Sequence, residues 1–339
     1  MTKERILITV KTYPTLSRKY GETVCTAGVR EDGSWVRIYP VPFRRLDEAE
    51  QYQKFDWLEC DLIRSRKDPR PESHHSADTA QLFPVAHMDT ASNWRERRHL
   101  LLGKAKVYTC LQTLIEGAKA NKLSLAVFKP AHVSDFIWEQ EDREWDAGKL
   151  AEMRDRANQG EMFEEEAWRK TFQVIPKLPY SFSYRFEDEA GKTSEMQILD
   201  WEAGALYRNC LNNCNGDEKA ALAKVRQKYF DEFTRKDLHF FLGTTQAFHF
   251  QAPNPWVIIG VFPIPHEHRQ TSSDPWRIPT LIAKTGSFSR PLPGILRKRS
   301  DGRPSTPTMP RPSVSRERWA GRPSAMWCWC EIYGRRLNG

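Results

Sequence analysis

Hydrophobic and polar residues alternate along much of the first 140 positions, which is the period of a half-buried β-strand. Ile6, Ile8 and Val10 show this spacing within residues 5–12. Pro40 ends the third such segment, because proline cannot donate a hydrogen bond to a sheet. The pattern predicts strands at 5–12, 23–29, 34–41, 55–64, 81–88, 124–130 and 132–140.

Helical spacing and further strands follow in the second half of the chain. We expect one or two helices within 92–120, capped by Ser92 or Asn93, and a charged helical surface segment at 141–176. The final predicted strand carries a nearly continuous apolar run, as a central strand does. The remaining predicted elements are a hairpin at 179–188 and 194–201, helices at 202–213 and 217–235, and strands at 237–243 and 255–263. The fold class is therefore α+β, β-rich with helical insertions.

The composition divides the chain into three parts. We expect a β-rich domain at 1–140, a second α+β domain with terminal strands at 141–265, and a disordered, dispensable Pro/Arg-rich tail at 266–339. The tail holds 14 lysines and arginines against 5 acidic residues, a net charge of +9, so residues 1–265 carry −1 of the total +8. The tail is either a basic nucleic-acid-binding arm or a non-selected read-through or frame-shifted end, which the abrupt loss of β patterning favours.

The folded part has an ordinary globular composition without targeting signals. No segment approaches the roughly 20 apolar residues of a membrane span, and the N-terminus does not resemble a signal peptide, so we expect a cytoplasmic protein. The seven cysteines form no paired C-x-x-C motif, and we expect reduced thiols. We expect no cofactor and no bound metal.

Aromatic and basic residues interleave near the N-terminus. This combination suits single-stranded nucleic acid, because cations neutralise phosphates and rings stack on bases. Trp35, Arg37 and Tyr39 share one face of a strand whose other face carries Val36 and Ile38. The alternative is that the two rings pack under a loop while Arg37 pairs with an acid such as Glu59. The candidate binding residues are Arg18, Lys19, Tyr20, Trp35, Arg37, Tyr39, Arg44, Arg45 and Lys54.

The first 45 residues resemble the dual OB-containing domain family of prokaryotic proteins. The similarity is carried by Ser17-Arg18-Lys19, by Cys25-Thr26-Ala27-Gly28 and by Trp35-Val36-Arg37. It implies OB-like small barrels, binding to DNA or RNA, and a role in genome defence or mobile elements. Where the family has a hairpin bearing Cys and His, this chain has FEDEAGKTSEM at 186–196, which lacks those ligands.

Asp200 and Glu202 are the candidate residues for a different function. Paired carboxylates can hold Mg²⁺ for phosphodiester hydrolysis, as in a metal-dependent nuclease. The alternative is that Asp200 caps the following helix while Trp201 anchors it. His74-His75, His239 and His249 match no catalytic spacing, and no recognisable catalytic motif occurs. We therefore expect a nucleic-acid reader rather than an enzyme, with a nuclease or a protein-interaction module as alternatives.

Overall fold

The computed structural model describes residues 3–17, 21–41, 43, 46, 51–77, 82–158 and 174–266. Most of this part of the chain folds into two sheets. The first sheet comprises β1 (Glu4–Lys11), β2 (Thr15–Ser17), β3 (Gly21–Arg30), β4 (Trp35–Val41), β5 (Asp56–Cys60), β6 (Leu62–Arg64), β7 (Ser73–Ser76) and β8 (Phe83–His87). Its order is β6-β7-β4-β3-β1-β5-β8, with β2 beside β3. One of the two sheets curls into a half-barrel.

The second sheet carries most of the helices. Its strands are β9 (Val107–Tyr108), β10 (Leu125–Phe128), β11 (His132–Gln140), β12 (Tyr180–Glu187), β13 (Thr193–Ile198), β14 (Asp237–Thr244) and β15 (Trp256–Ile264), in the order β11-β12-β13-β15-β14-β10-β9. The α-helices are α1 (Ala91–Arg98), α2 (Leu111–Lys119), α3 (Ala147–Asn158), α4 (Trp201–Asn213) and α5 (Glu218–Arg226). Two π-helical segments, His99–Lys104 and Gln227–Glu232, extend α1 and α5.

The predicted α+β, β-rich class is confirmed. The second sheet begins at Val107, earlier than the predicted division at residue 140, and β7 forms between the predicted strands 55–64 and 81–88. The predicted tail lies outside the described residues, apart from His266. No helix in the described part of the chain is both long and apolar enough to cross a membrane.

A bulge in β1 distributes its apolar side chains to two cores. The register with β3 shifts between Ile8 and Val10, which breaks the simple alternation of the strand. Ile6 and Ile8 pack into a cluster within the first sheet, whereas Leu7 and Val10 pack into a cluster that also contains residues of the second sheet. Both faces of β1 are therefore buried, and the two sheets share one core.

Arg37 connects the two sheets through hydrogen bonds. Its side chain is 1% exposed, and its Nη1 donates to Ser124 Oγ at 2.6 Å and to Ser73 Oγ at 3.2 Å. Its Nη2 donates to the Ser124 carbonyl at 2.9 Å and to the Thr244 carbonyl at 3.5 Å. Glu72 completes the network, because its carboxylate accepts from Ser124 N at 2.9 Å and from Ser124 Oγ at 2.5 Å.

The prediction that Arg37 projects from an open strand face is therefore wrong. The alternation was correct, since Val36 and Ile38 are buried on the opposite face. The face that carries Arg37 is covered by β10 and β14 of the second sheet, so the guanidinium bonds to protein groups. Burial and the nearby Arg70 lower the pKa of Arg37, while Glu72 and Asp68 act in the opposite direction.

We predict that Arg37→Ala lowers the free energy of unfolding by about 3 kcal/mol, because it removes the buried hydrogen bonds that the guanidinium donates to Ser73, Ser124 and Thr244. Urea denaturation measures this change. The matched control is Arg185→Ala, which removes an exposed pair with Glu195 and should cost less than about 1 kcal/mol. Equal effects of the two substitutions would contradict the assignment of Arg37 as the connection between the sheets.

Candidate functional site

The predicted binding residues are distributed over several environments. Trp35 is half-buried and packs edge-on against Phe241, with 5.8 Å between ring centroids. Tyr39 is 41% exposed, and Arg37 is buried as described above. The structure therefore does not form the predicted platform of Trp35, Arg37 and Tyr39. The other predicted residues of this region, Arg18, Lys19, Tyr20, Arg44 and Arg45, lie outside the described residues.

Lys54 is buried instead of facing solvent. Its Nζ lies 3.0 Å from Glu202 Oε2 and 3.5 Å from Asp200 Oδ2, and it donates to the Val261 carbonyl at 3.1 Å. Burial alone would lower the pKa of Lys54, but the two carboxylates outweigh that effect and raise it. The prediction that Lys54 binds phosphate from an exposed position is therefore wrong, because it forms a second polar connection between the sheets.

Asp200 is the N-cap of α4, which confirms the alternative interpretation of this residue. Its Oδ1 accepts from Glu202 N at 3.2 Å, and its Oδ2 accepts from Val261 N at 3.1 Å. Both carboxylates of the predicted pair are thus engaged with Lys54 or with backbone amides. Within the described ranges, no group of three or more His, Cys, Asp and Glu side chains could hold a metal ion.

Lys11 lies beside this cluster among aromatic rings. Its Nζ is 3.7 Å from the centre of the Phe43 ring and 4.7 Å from that of Trp201, within the range of cation–π attraction. It also donates to the Tyr52 carbonyl at 3.4 Å. Burial lowers the pKa of Lys11 to about 8, although Glu202, Asp200 and Asp56 act in the opposite direction.

A cavity of about 450 Å³ lies between the two sheets. The first sheet and its loops contribute Tyr39 and Arg70, and the second sheet contributes Gln197 and the segment 244–246. Tyr39 accepts a hydrogen bond from Thr23 Oγ1 at 3.4 Å. The aromatic residues of the lining are Tyr13, Tyr39, Trp145, Tyr180 and Phe182. Of the predicted binding residues that the structure describes, Tyr39 alone reaches this cavity.

The turn after β14 presents two phenylalanine rings to solvent. Phe248 is 58% exposed and Phe250 is 50% exposed. His249 between them is buried, with Nδ1 2.9 Å from Thr244 Oγ1 and Nε2 3.0 Å from Asn121 Oδ1. Successive side chains of this turn therefore alternate in direction. The His249 imidazole points inward and is held by its two contacts, whereas the rings of Phe248 and Phe250 point outward. We call residues 245–252 the aromatic loop.

Basic residues adjoin two segments that contact the aromatic loop. Asn121, which contacts His249, lies between Lys119 and Lys122 in the sequence, and both lysines are exposed. In the second segment, the Lys67 carbonyl accepts a hydrogen bond from Gln246 Nε2 at 2.9 Å, and Arg66 precedes Lys67. The side chains of these four cations are exposed and form no ion pair with any described residue. Aromatic rings and cations are thus interleaved here, in the combination that the sequence had predicted elsewhere.

Sequence reasoning missed the aromatic loop. Phe-His-Phe stands in a turn-rich segment, TTQAFHFQAPNP, which follows a complete strand. Two large apolar residues at alternate positions in such a turn cannot continue a central strand. This pattern in the sequence could have predicted that the two rings are exposed. The flanking cations come from distant parts of the chain, so no local pattern could have linked them to the loop.

Comparison with known protein families divides the chain near the boundary between the sheets. A model described as a domain of unknown function, DUF8758, matches residues 2–103. A second, described as a domain of unknown function, DUF8757, matches residues 107–277, just over half of the chain. The chain belongs to the DUF8757 family. No curated protein and no solved structure matches it.

The two matched regions meet at the candidate site. The DUF8757 region supplies the aromatic loop together with Lys119 and Lys122, and the DUF8758 region supplies Arg66 and Lys67. The cavity is likewise lined from both regions, by Tyr39 on one side and Gln197 on the other. Both features therefore depend on how the two regions pack together.

The lowered pKa of Lys11 predicts a specific pH dependence of stability. The unfolded chain keeps a pKa near 10.5 and the folded chain has one of about 8, so between these values only the unfolded chain holds the proton. The contribution of Lys11 to the free energy of unfolding therefore rises with pH in this window. We expect the free energy of unfolding of the wild type minus that of Lys11→Met to increase from pH 8 to pH 10.5.

Denaturant unfolding at several pH values measures this difference. Lys219→Met, at an exposed position on α5, controls for the general loss of a lysine. A difference for Lys11→Met that stays flat or falls across the window would contradict the buried placement of the Lys11 amine.

Proposed function

We propose that this protein binds single-stranded nucleic acid and that the aromatic loop with its flanking cations is the binding surface. The observation that carries the proposal is the outward placement of Phe248 and Phe250 beside exposed basic residues. Two exposed rings on one turn would cost free energy in water without a compensating ligand. Base stacking on such rings contributes roughly 1–3 kcal/mol per base.

The anchoring of the loop supports this use. His249 is tied to Thr244 and Asn121, and the Phe248 carbonyl accepts from Gln251 N at 3.3 Å and from Ala252 N at 3.1 Å. Rings held on an ordered turn lose little conformational freedom on binding, so more of the stacking energy appears as affinity. A loose turn would lose that advantage.

The charges around the loop complement a polyanion. Lys119 and Lys122 adjoin Asn121, and Arg66 and Lys67 adjoin the contact with Gln246, so a strand stacked on the rings would pass near cations from two segments of the chain. Two nearby acids are already engaged, since Asp68 pairs with Arg70 at 2.6 Å and Glu72 binds Ser124. The four cations are therefore available to phosphate groups.

The resemblance of the N-terminal residues to the dual OB-containing domain family agrees with this proposal. One of the two sheets is a curled half-barrel. We propose in addition that the first sheet has the character of an OB-like barrel. A role in prokaryotic genome defence or mobile elements would follow from the same resemblance. The proposed contacts, however, are those of the aromatic loop rather than Trp35 or Arg37.

We predict that Phe248→Ala and Phe250→Ala each weaken single-strand binding by about tenfold, because each removes one stacking surface. The melting temperature should hardly change, because both rings are exposed. Fluorescence anisotropy with a labelled oligonucleotide measures affinity. The matched control is Phe83→Ala, which removes a ring of 45% exposure from β8 and should leave affinity unchanged.

The lysines should affect binding in a different way. Replacing Lys119 and Lys122 by Gln should flatten the dependence of affinity on salt, by a slope of about 0.7 for each phosphate that is no longer neutralised. If Phe248→Ala and Phe250→Ala bind as tightly as the wild type, the loop is not the binding surface. Wild-type protein that binds no oligonucleotide at low salt would overturn the proposal altogether.

A further inference from the structure

The cavity between the sheets opens beside the aromatic loop. The segment 244–246 lines the cavity and leads directly into Phe248 and Phe250. Glu141, Gln197 and Gln246 also line the cavity and are exposed, so it can be reached from the surface. A strand held on the aromatic loop would therefore pass close to the entrance of this cavity.

Two residues of the cavity lining carry side-chain polar groups that form no hydrogen bond with another described residue, and one of these groups is enclosed while the other faces solvent. Thr245 Oγ1 is buried and has no hydrogen-bond partner among the described residues. The side-chain amide of Gln197 likewise forms no hydrogen bond within the described part of the chain. A hydroxyl and a carboxamide each offer both a donor and an acceptor. Such groups match the edge of a nucleobase, which presents donors and acceptors side by side.

The apolar lining suits a flat ring. Tyr13 and Tyr39 lie on the side of the first sheet, and Tyr180 and Phe182 lie on β12 of the second. The volume of about 450 Å³ falls within the range of small-ligand sites, roughly 300–1,000 Å³. Proteins that take a base out of its stack read it in this way, by aromatic contact together with hydrogen bonds to its edge.

The charges of the lining do not favour a phosphate. Arg70 is paired with Asp68 at 2.6 Å and also donates to the Thr244 carbonyl, so its guanidinium is engaged. The rest of the charged lining is one further cation, Lys177, and two carboxylates, Glu141 and Asp200. A phosphate would therefore meet little uncompensated positive charge, whereas an uncharged base would meet rings and unpartnered polar groups.

We infer that this cavity receives one unstacked base of the strand that binds the aromatic loop; the inference rests on the proposed function and deepens it. The stacked part of the strand supplies sequence-independent affinity at Phe248 and Phe250. The base in the cavity contacts Gln197 and Thr245, so recognition of base identity or modification is located there.

The test uses the full-length protein and a series of short DNA oligonucleotides in which an abasic residue replaces each nucleotide in turn. For wild type, we expect one abasic position to weaken binding by about tenfold more than its neighbours. In Gln197→Ala and Thr245→Val, that position should lose its special effect, and the intact oligonucleotide should bind more weakly. Gln112→Ala, on the exposed face of α2, is the matched control.

The possible failures can be told apart. If the wild type binds and the Phe variants weaken it, but the abasic series is uniform and Gln197→Ala has no effect, the cavity inference is overturned while the proposed function stands. If no oligonucleotide binds, both are overturned. Neither cavity substitution removes a hydrogen bond between described residues, so melting temperatures near that of the wild type should confirm that the variants fold.

Discussion

The buried guanidinium of Arg37 is the interaction on which the arrangement of this protein depends. It extends from the first sheet to Ser124, which directly precedes β10, and to Thr244, which ends β14. A buried Arg is costly unless its donors are satisfied, and here both Nη atoms have acceptors. Because several acceptors must be in place at once, the network fixes one relative position of the two sheets.

That position determines where the functional features lie. Thr244 accepts from Arg37 through its carbonyl and contacts His249 through its hydroxyl, so the anchor of the aromatic loop shares a residue with the connection between the sheets. Lys54, held by Asp200 and Glu202, provides a second polar connection near the cavity. The two sheets also share an apolar core, which contains Leu7, Val10 and Phe241. This core supplies the buried apolar contact area between the two sheets. The DUF8758 and DUF8757 regions thus form one packed body across the described residues.

The sequence was most informative where the physical signal is local. Period-two alternation predicted most of the strands, and the position of Asp200 before α4 predicted its capping role. The same alternation correctly placed Trp35 and Arg37 on one strand face. It could not show what covers that face, because the covering strands, β10 and β14, lie roughly 80 to 200 residues further along the chain. The burial of Lys54 was missed for the same reason, since its partners are equally remote.

We propose that nucleic acid binds where the aromatic loop meets the nearby cations, and the most direct test is hydrogen–deuterium exchange with and without a single-stranded oligonucleotide. We expect the oligonucleotide to slow exchange at the amides of residues 245–252 and 119–122. We expect no such change along β8, at the edge of the first sheet. Protection confined to β8, or unchanged exchange in the aromatic loop when the oligonucleotide is bound, would contradict the proposal.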